Sequence, residues 1–309
     1  MLVIDTQTKK VLQRITYAPR EYPSAIAWHT FDGVGEASPK LKVYVGTSRM
    51  ADTANGETES YSPQKGTLYA YDFNVELICE HEATLNGAVY DIQDFMLAAR
   101  SYIVLGINAI VRVYSIDRDT NEIEKIAEAD SQIITYKLKV VWERPQNRRN
   151  DRVKILVADI MKSLTVYSFA RYPDAQTGER FKLEARDPNG LWCIEMAHVP
   201  NLKNAQDSDM SDDEDGGTDD FYLTADFDQN LNLLRMFRSV DPQKADLLQI
   251  KSSAFMAQQI TSIGQAAPLT RRAAGATVFQ QTHPTDVFIS PSYLQTQNLP
   301  RHQSFFSRS

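Results

Sequence analysis

Cysteine is nearly absent: Cys79 and Cys193 are the only two in 309 residues. Neither sits in a CxxC pair, which argues against a disulfide scaffold or a zinc site and points to a reducing compartment. Long apolar runs are missing too. No stretch approaches the ~18 apolar residues of a membrane span, and Met1–Asp5 has no basic segment leading into an apolar one, so no signal peptide is expected. No membrane partner is expected. Positive charge is in deficit: the net charge is -7 and the pI near 5.3. Affinity for phosphate backbones comes mainly from clustered Lys and Arg, so a broad nucleic-acid surface is disfavoured.

Catalytic signatures are also lacking. There is no GxSxG, HExxH or P-loop pattern. Gly33-Val34-Gly35 is a lone GxG in a loop and carries little weight for nucleotide binding. The five histidines, His29, His81, His198, His283 and His302, are scattered and imply no ligand set. The expectation is a non-catalytic protein with no catalytic residue, no metal and no cofactor.

Helical periodicity is scarce as well, and what fills the chain is strand. Val111-Arg112-Val113-Tyr114-Ser115-Ile116 aligns without a gap on Leu164-Thr165-Val166-Tyr167-Ser168-Phe169. Leu68-Tyr69-Ala70-Tyr71-Asp72-Phe73 has the same shape. Leu156-Val157-Ala158-Asp159 recurs as Leu223-Thr224-Ala225-Asp226, and the register holds through Ser163–Val166 and Asn230–Leu233. A strand-pair pattern repeating every ~40–65 residues predicts propeller blades or another β array.

Four units follow, each with four short strands as a blade requires. The first uses Ser24–Phe31, Leu41–Thr47, Gly66–Phe73 and Val75–Glu82. The second uses Gly87–Phe95, Ser101–Ile107, Ala109–Ile116 and Glu122–Ala129. The third uses Gln132–Trp142, Val153–Asp159, Ser163–Phe169 and Arg180–Arg186. The fourth uses Leu191–Val199, Phe221–Asp226, Asn230–Phe237 and Ala245–Ile250. A fifth begins near Gln259–Ile263. Tyr102–Ile107 is almost continuously apolar, as a strand buried between neighbouring blades should be. Asn108 then sits at a tight reversal, where tolerance of left-handed geometry is useful. Glu122–Ala129 is more charged, which suits an outer edge.

Leu2–Asp5 and Val11–Thr16 read as the two outer strands of a unit whose inner strands are missing. From Ala266 onward only Thr277–Phe279 and Val287–Ile289 still look like strands. The domain expectation is a β-propeller region over 1–265 and an irregular, poorly ordered tail over 266–309. Two insertions interrupt the units. One is the loop at 49–65. The other is the acidic run at 207–220, DSDMSDDEDGGTDD, which has too little apolar surface to order itself.

Several segments together resemble one family. They are GAVYDIQDF at Gly87–Phe95, GINAIVRVYSI at Gly106–Ile116, LVADIMKSLTVYSF at Leu156–Phe169 and ARDPNGLW at Ala185–Trp192. The resemblance, over roughly residues 1–265, is to the carboxy-terminal propeller region of the damaged-DNA-binding protein large subunit, the cullin–RING ubiquitin ligase adaptor. Related families are the cleavage and polyadenylation specificity factor A subunit and a splicing factor 3b subunit. GAVY followed by INAIVRVY points to the adaptor. The resemblance implies an all-β fold: a partial seven-bladed β-propeller with about four complete four-stranded blades, partial blades and an irregular C-terminal tail. It also implies a scaffold for substrate-receptor proteins of a cullin–RING ligase, active in the DNA-damage response. The localisation expected is nuclear, with a cytoplasmic pool as an alternative. Such relatives carry three propellers, so the chain reads as a fragment. An RNA-processing scaffold of the polyadenylation or splicing type, with weak nucleic-acid contact whose directness is left open, is the second reading. A propeller enzyme, with acids or a metal converging on the central channel, is the third.

The partner-binding candidates lie at loops and strand ends near these motifs: Leu105, Asn108, Trp192, Ala225 and Asp226. Trp192 is the leading anchor, because aromatics are enriched at binding hot spots; packing between blades is its alternative. Asp159 and Asp226 recur at one unit position, which favours a turn or strand-end role. Arg144, Arg148, Arg149 and Arg152 form a basic loop cluster without interleaved aromatics, so solvation is favoured over base stacking. Ser208 and Ser211 sit in the acidic run and suit a kinase that prefers acidic substrates. Incorporation of phosphate at these serines by such a kinase is the expected result; none on the purified protein would remove the assignment.

Overall fold

Apolar residues two apart need a pleated strand to reach a common face, and the computed structural model forms strands throughout. It describes residues 1–31, 40–50, 65–73, 77–97, 100–117, 122–131, 133–142, 152–171, 179–199, 220–239, 241, 244–266 and 286–291. No helix occurs among them. The first complete blade is β3 (Glu21–Phe31), β4 (Lys40–Arg49), β5 (Gly66–Phe73) and β6 (Leu77–Leu85), preceded by a two-stranded sheet of β1 (Leu2–Ile4) and β2 (Val11–Arg14). The second is β7 (Val89–Leu97), β8 (Arg100–Ile107), β9 (Ile110–Ile116) and β10 (Ile123–Asp130). The third is β11 (Thr135–Trp142), β12 (Arg152–Asp159), β13 (Ser163–Arg171) and β14 (Glu179–Arg186). The fourth is β15 (Cys193–Val199), β16 (Phe221–Asp226), β17 (Asn230–Phe237) and β18 (Asp246–Phe255). A last pair follows, β19 (Ile260–Ala266) with β20 (Asp286–Pro291).

Every blade is an antiparallel meander. Its first strand packs against the first strand of the next, so β3, β7, β11, β15 and β19 follow one another around the inner side. This is the partial β-propeller the repeats implied. The third and fourth blades differ in one respect. Their outermost strands join through two parallel pairs, Ala185↔Asp246 and Arg186↔Leu247, merging eight strands into one sheet.

The core lies between blades. Ile103, Leu105 and Ile107 of β8 point to one side, against Ala27, Tyr44, Leu68 and Ala70 of the first blade. Tyr102 and Val104 point to the other, against Val153, Ile155 and Val157 of the third. A strand that feeds two cores must be apolar on both faces, which is why 102–107 reads as an unbroken run. Phe95 stacks on Tyr102 at 5.2 Å, and Phe169 meets both edge-on at 5.7 and 5.2 Å. By contrast, β10 is at most half-buried along its length, as the outer edge of its sheet.

The reversal between second and third strands is built alike in three blades. Each contains one left-handed residue: Asn108 (φ 47°), Ser163 (φ 57°) and Gln229 (φ 68°). Gly87 (φ 146°) serves the second blade in another way. A Cβ there would sit 2.8 Å from Ile107 and 2.9 Å from the Asn108 amide.

The tail expectation falls largely outside the described residues, as do Thr277–Phe279, most of both insertions and most of the arginine loop. Within the tail, β20 spans the expected strand at Val287–Ile289 and pairs with β19.

Candidate protein-interaction site

First strands start, and second strands end, at one face of the propeller, because antiparallel neighbours alternate in direction. The register shows it directly: Val89↔Ile107, Thr135↔Asp159 and Cys193↔Asp226 bring these ends together. The same face therefore carries the links between blades and the reversals from second to third strand.

Carboxylates organise these loops. Asp159 accepts hydrogen bonds from Ile133 N at 2.8 Å, Ile134 N at 3.0 Å and Met161 N at 2.8 Å. Asp226 accepts from Asn230 N at 2.9 Å and from the side-chain amides of Asn230 and Asn232. Asp187 accepts from Ser163 Oγ at 2.5 Å and Asn189 N at 3.0 Å, forming the turn of the ARDPNGLW segment. Asp91 accepts from Ile92 N and Leu138 N, both at 2.8 Å, and so ties the second blade to the third. Burial raises the pKa of Asp91, against those N–H groups and Lys137, which lower it.

That framework presents an aromatic platform. Leu191 O accepts from Ser163 N, and Trp192 O accepts from Phe227 N at 2.9 Å, which fixes the backbone before β15. The Trp192 indole then stacks on Phe227 with centroids 4.6 Å apart and planes 12° apart. Tyr136 meets Trp192 edge-on at 6.5 Å. Trp192 is 41% exposed and Phe227 52%, and Met161 in the preceding blade's reversal is exposed as well. Aromatic rings left stacked and wet provide a broad apolar contact at low entropic cost, the usual property of a partner anchor.

The five sequence candidates separate on this face. Trp192 sits at the centre of the exposed platform. Asn108 forms the turn: its Oδ1 accepts from Ala88 N at 3.0 Å, and its backbone bonds Ala88 O and Thr135 N. Leu105, Ala225 and Asp226 have almost no exposed surface. Alternation points the first two into inter-blade cores, and Asp226 is occupied by its turn amides. Phe227 and Met161 were not chosen from the sequence, although each follows a unit-position aspartate by one or two residues. Ser208 and Ser211 lie outside the described residues.

A second constellation links the first two blades. His29 Nδ1 is 2.7 Å from Asp94 Oδ2, and Ser101 Oγ is 3.3 Å from His29 Nε2. The order of groups is that of a serine hydrolase. Ser101 has no exposed surface, however, and His29 is buried. The hydroxyl is closed off from solvent, and the three groups brace β3 against β7 and β8. Nearer the axis, Lys139 Nζ donates to Met196 O at 3.1 Å and Ile263 O at 3.0 Å, and Lys137 pairs with Glu195. Among the described residues no group of three or more His, Cys, Asp or Glu is placed to hold a metal.

The segments that carried the family resemblance, Gly87–Phe95, Gly106–Ile116, Leu156–Phe169 and Ala185–Trp192, lie on these blades and their turns. Compared with protein families, residues 1–296 match the one described as the CPSF A subunit region. The chain belongs to the CPSF A subunit region family. The CPSF A match reaches beyond residue 265, through β19 and β20, and so includes the strand pair that opens the fifth blade. Propellers of the CPSF A family are typically scaffolds, in keeping with a site made of exposed rings on a rigid frame. No curated protein matches this CPSF A chain significantly.

Proposed function

We propose that this CPSF A propeller is a protein-interaction scaffold, and that it serves as part of a ubiquitin-ligase adaptor that receives substrate-receptor proteins in the nucleus. The observation that carries the reading is the stacked, exposed Trp192–Phe227 pair on a face whose loops are fixed by buried carboxylates. A partner covering these rings gains hydrophobic burial, while the frame beneath has little ordering entropy left to lose. The sequence reasons for the adaptor branch are GAVY at Gly87–Tyr90 and INAIVRVY at Ile107–Tyr114.

Affinity purification from the native cell tests this. Receptors associated with a cullin are the expected partners. Trp192→Ala should weaken their capture by about 30-fold, the equivalent of a ~2 kcal/mol hot spot, with the melting temperature unchanged because the ring is outside the core. Undiminished capture would remove Trp192 as the anchor. The second reading, an RNA-processing scaffold, is favoured by the description of the family itself, a CPSF A subunit region. Recovery of polyadenylation or splicing subunits in place of cullin-associated receptors would establish it.

A further inference from the structure

Carboxylates on the two faces of the propeller have different partners. On the face where first strands end, they meet basic groups. Asp72 lies 3.2 Å from Lys42 Nζ, Asp94 lies 2.7 Å from His29 Nδ1, and Asp220 pairs with Lys154. On the opposite face, which carries the aromatic platform, they meet neutral donors. Asp159 is held by three backbone N–H groups, and Asp226 by the backbone and side-chain amides of Asn230 and Asn232. Asp187 is held by Ser163 Oγ and by the backbone and side-chain N–H groups of Asn189. All three aspartates are at most 2% exposed. Neutral donors favour an ionised carboxylate without cancelling its charge.

These charges lie directly beside the rings. Asp226 precedes Phe227, whose N–H bonds Trp192 O at 2.9 Å. Asp187 holds Ser163, whose N–H bonds Leu191 O one residue before Trp192. Asp159 caps Met161 at the platform's edge. A further aspartate, Asp228, follows Phe227 and is exposed. Cations are fewer here. Lys162 is exposed beside Met161, and Arg186 is half-buried within electrostatic reach of Tyr167. Lys137, one residue on from Tyr136, is taken up by Glu195. Asp159, Asp187, Asp226 and Asp228 therefore stand against Lys162 and Arg186, and the balance is negative. The Cys193 thiol, next to Trp192 in the chain, registers it: burial raises its pKa most, and the charges of Glu195, Asp187 and Asp226 raise it further.

We propose, on the reading of this platform as the partner anchor, that it receives a cationic partner: a protein segment presenting an arginine beside an apolar residue. Aromatic faces carry the negative part of the ring quadrupole, so a guanidinium laid on the Trp192–Phe227 pair is attracted by the rings and by the carboxylates behind them. Arginine suits the site better than lysine, because its planar group stacks on a ring and is more weakly hydrated. The apolar neighbour meets Met161, which is 57% exposed. Buried charges are screened less by salt than exposed ones, so the three capped aspartates act on a docked cation while staying out of contact with water. An acidic segment would bring like charge to turns whose own charge is already in excess, which disfavours it.

Selection from an unbiased peptide-display library on the full chain, discarding peptides that also bind Trp192→Ala, reads the preference directly. Arginine is expected at about three times its library frequency or more, with Asp and Glu depleted. Asp228→Lys should weaken a selected arginine peptide about threefold or more, and Lys162→Gln should strengthen it. The charge itself is read without any peptide. In a chain carrying Trp28→Phe and Trp142→Phe, Trp192 is the one indole left of three. Caesium ion should quench its emission about twofold better than iodide at low ionic strength, each normalised to N-acetyltryptophanamide, and Asp228→Lys should narrow the gap. Trp192-dependent peptides that are neutral or acidic overturn the proposal and leave Trp192 an anchor. So does quenching by iodide equal to that by caesium. No Trp192-dependent peptide at all removes the anchor itself, and the proposal with it.

Discussion

Replacing Lys154 with alanine is expected to destabilise the fold by about 3–5 kcal/mol, the usual cost of removing one partner from a buried ion pair. Lys154 is only 1% exposed, at the second position of the third blade. Its ammonium pairs with Asp220 of the fourth blade, lies 3.6 Å from Glu184 and donates to Tyr222 Oη at 3.2 Å. His198 Nε2 is 3.2 Å from the other Asp220 oxygen. Alanine would take from Asp220 and Glu184 the cation they share, although Arg152 still pairs with Glu184 at 3.2 Å, and would open a cavity along the lost stem. Urea denaturation reads the cost as a lower midpoint at constant slope. A cycle of Lys154→Ala, Asp220→Asn and the double variant should give a coupling of about 1–3 kcal/mol, since the two groups share one network. Strictly additive single effects would show that the pair contributes through packing alone.

The same cluster sets a pH dependence. Burial by itself would raise the pKa of Asp220, but hydrogen bonding to His198 and the charge and hydrogen bond of Lys154 outweigh it and bring the value from the usual 3.8 to about 2. A folded pKa below the unfolded one means stability that is complete above pH ~4 and lost as the pH falls toward ~2. The amount is roughly 2 kcal/mol at the standard conversion of pKa units to free energy. For Lys154, burial pulls the pKa down, yet Tyr222, Glu184 and Asp220 raise it above the usual 10.5. That contribution is complete below pH 10.5 and lost only above it. The stability difference between the natural chain and Asp220→Asn should therefore shrink as the pH falls from ~4 to ~2.

Most of the architecture was legible because each unit repeats one alternation. Leu156–Asp159 and Leu223–Asp226 could be superimposed by eye, and both are second strands ending in a turn-capping aspartate. The site was less legible. Leu105 and Ala225 lie near strand ends, which placed them among candidates, but a strand packed on both faces hides its residues almost to the last one. Phe227 was passed over although an apolar residue in a turn between polar ones is the simplest sign of an exposed ring. The link between Lys154 and Asp220 had no local signal at all. It spans neighbouring blades, and Asp220 is the last member of the acidic run, where composition alone reads as solvated. The charge of Glu122–Ala129 marks an outer edge, and β10 is one; the parallel pairing of β14 with β18 through Ala185 and Arg186 had no such sign, because registry between blades is set by their mutual packing, which no single unit encodes.

Asp159→Ala is expected to cost at least about 3 kcal/mol, because three backbone N–H groups would lose a charged acceptor where only 1% of the residue is exposed. The position matters more than a turn ordinarily does. Ile133 and Ile134 belong to the link between the second and third blades, so the carboxylate holds β11 at the end of β12 and fixes the start of the third blade. Asp159→Asn should cost less, about 1–2 kcal/mol: one amide oxygen can still receive Ile133 and Ile134, while the bond to Met161 N is lost. Met161 stands at the edge of the aromatic platform, in the reversal whose Ser163 N bonds Leu191 O just ahead of Trp192. Loss of the aspartate should thus reach the platform as well as the fold. The check is hydrogen exchange at Ile133, Ile134 and Met161 beside partner binding at a temperature where the variant remains folded. Faster exchange at all three amides with weaker binding is expected for alanine, and faster exchange at Met161 alone for asparagine. Equal protection in both variants would mean that the turn is held by its backbone and that the recurring aspartate is dispensable.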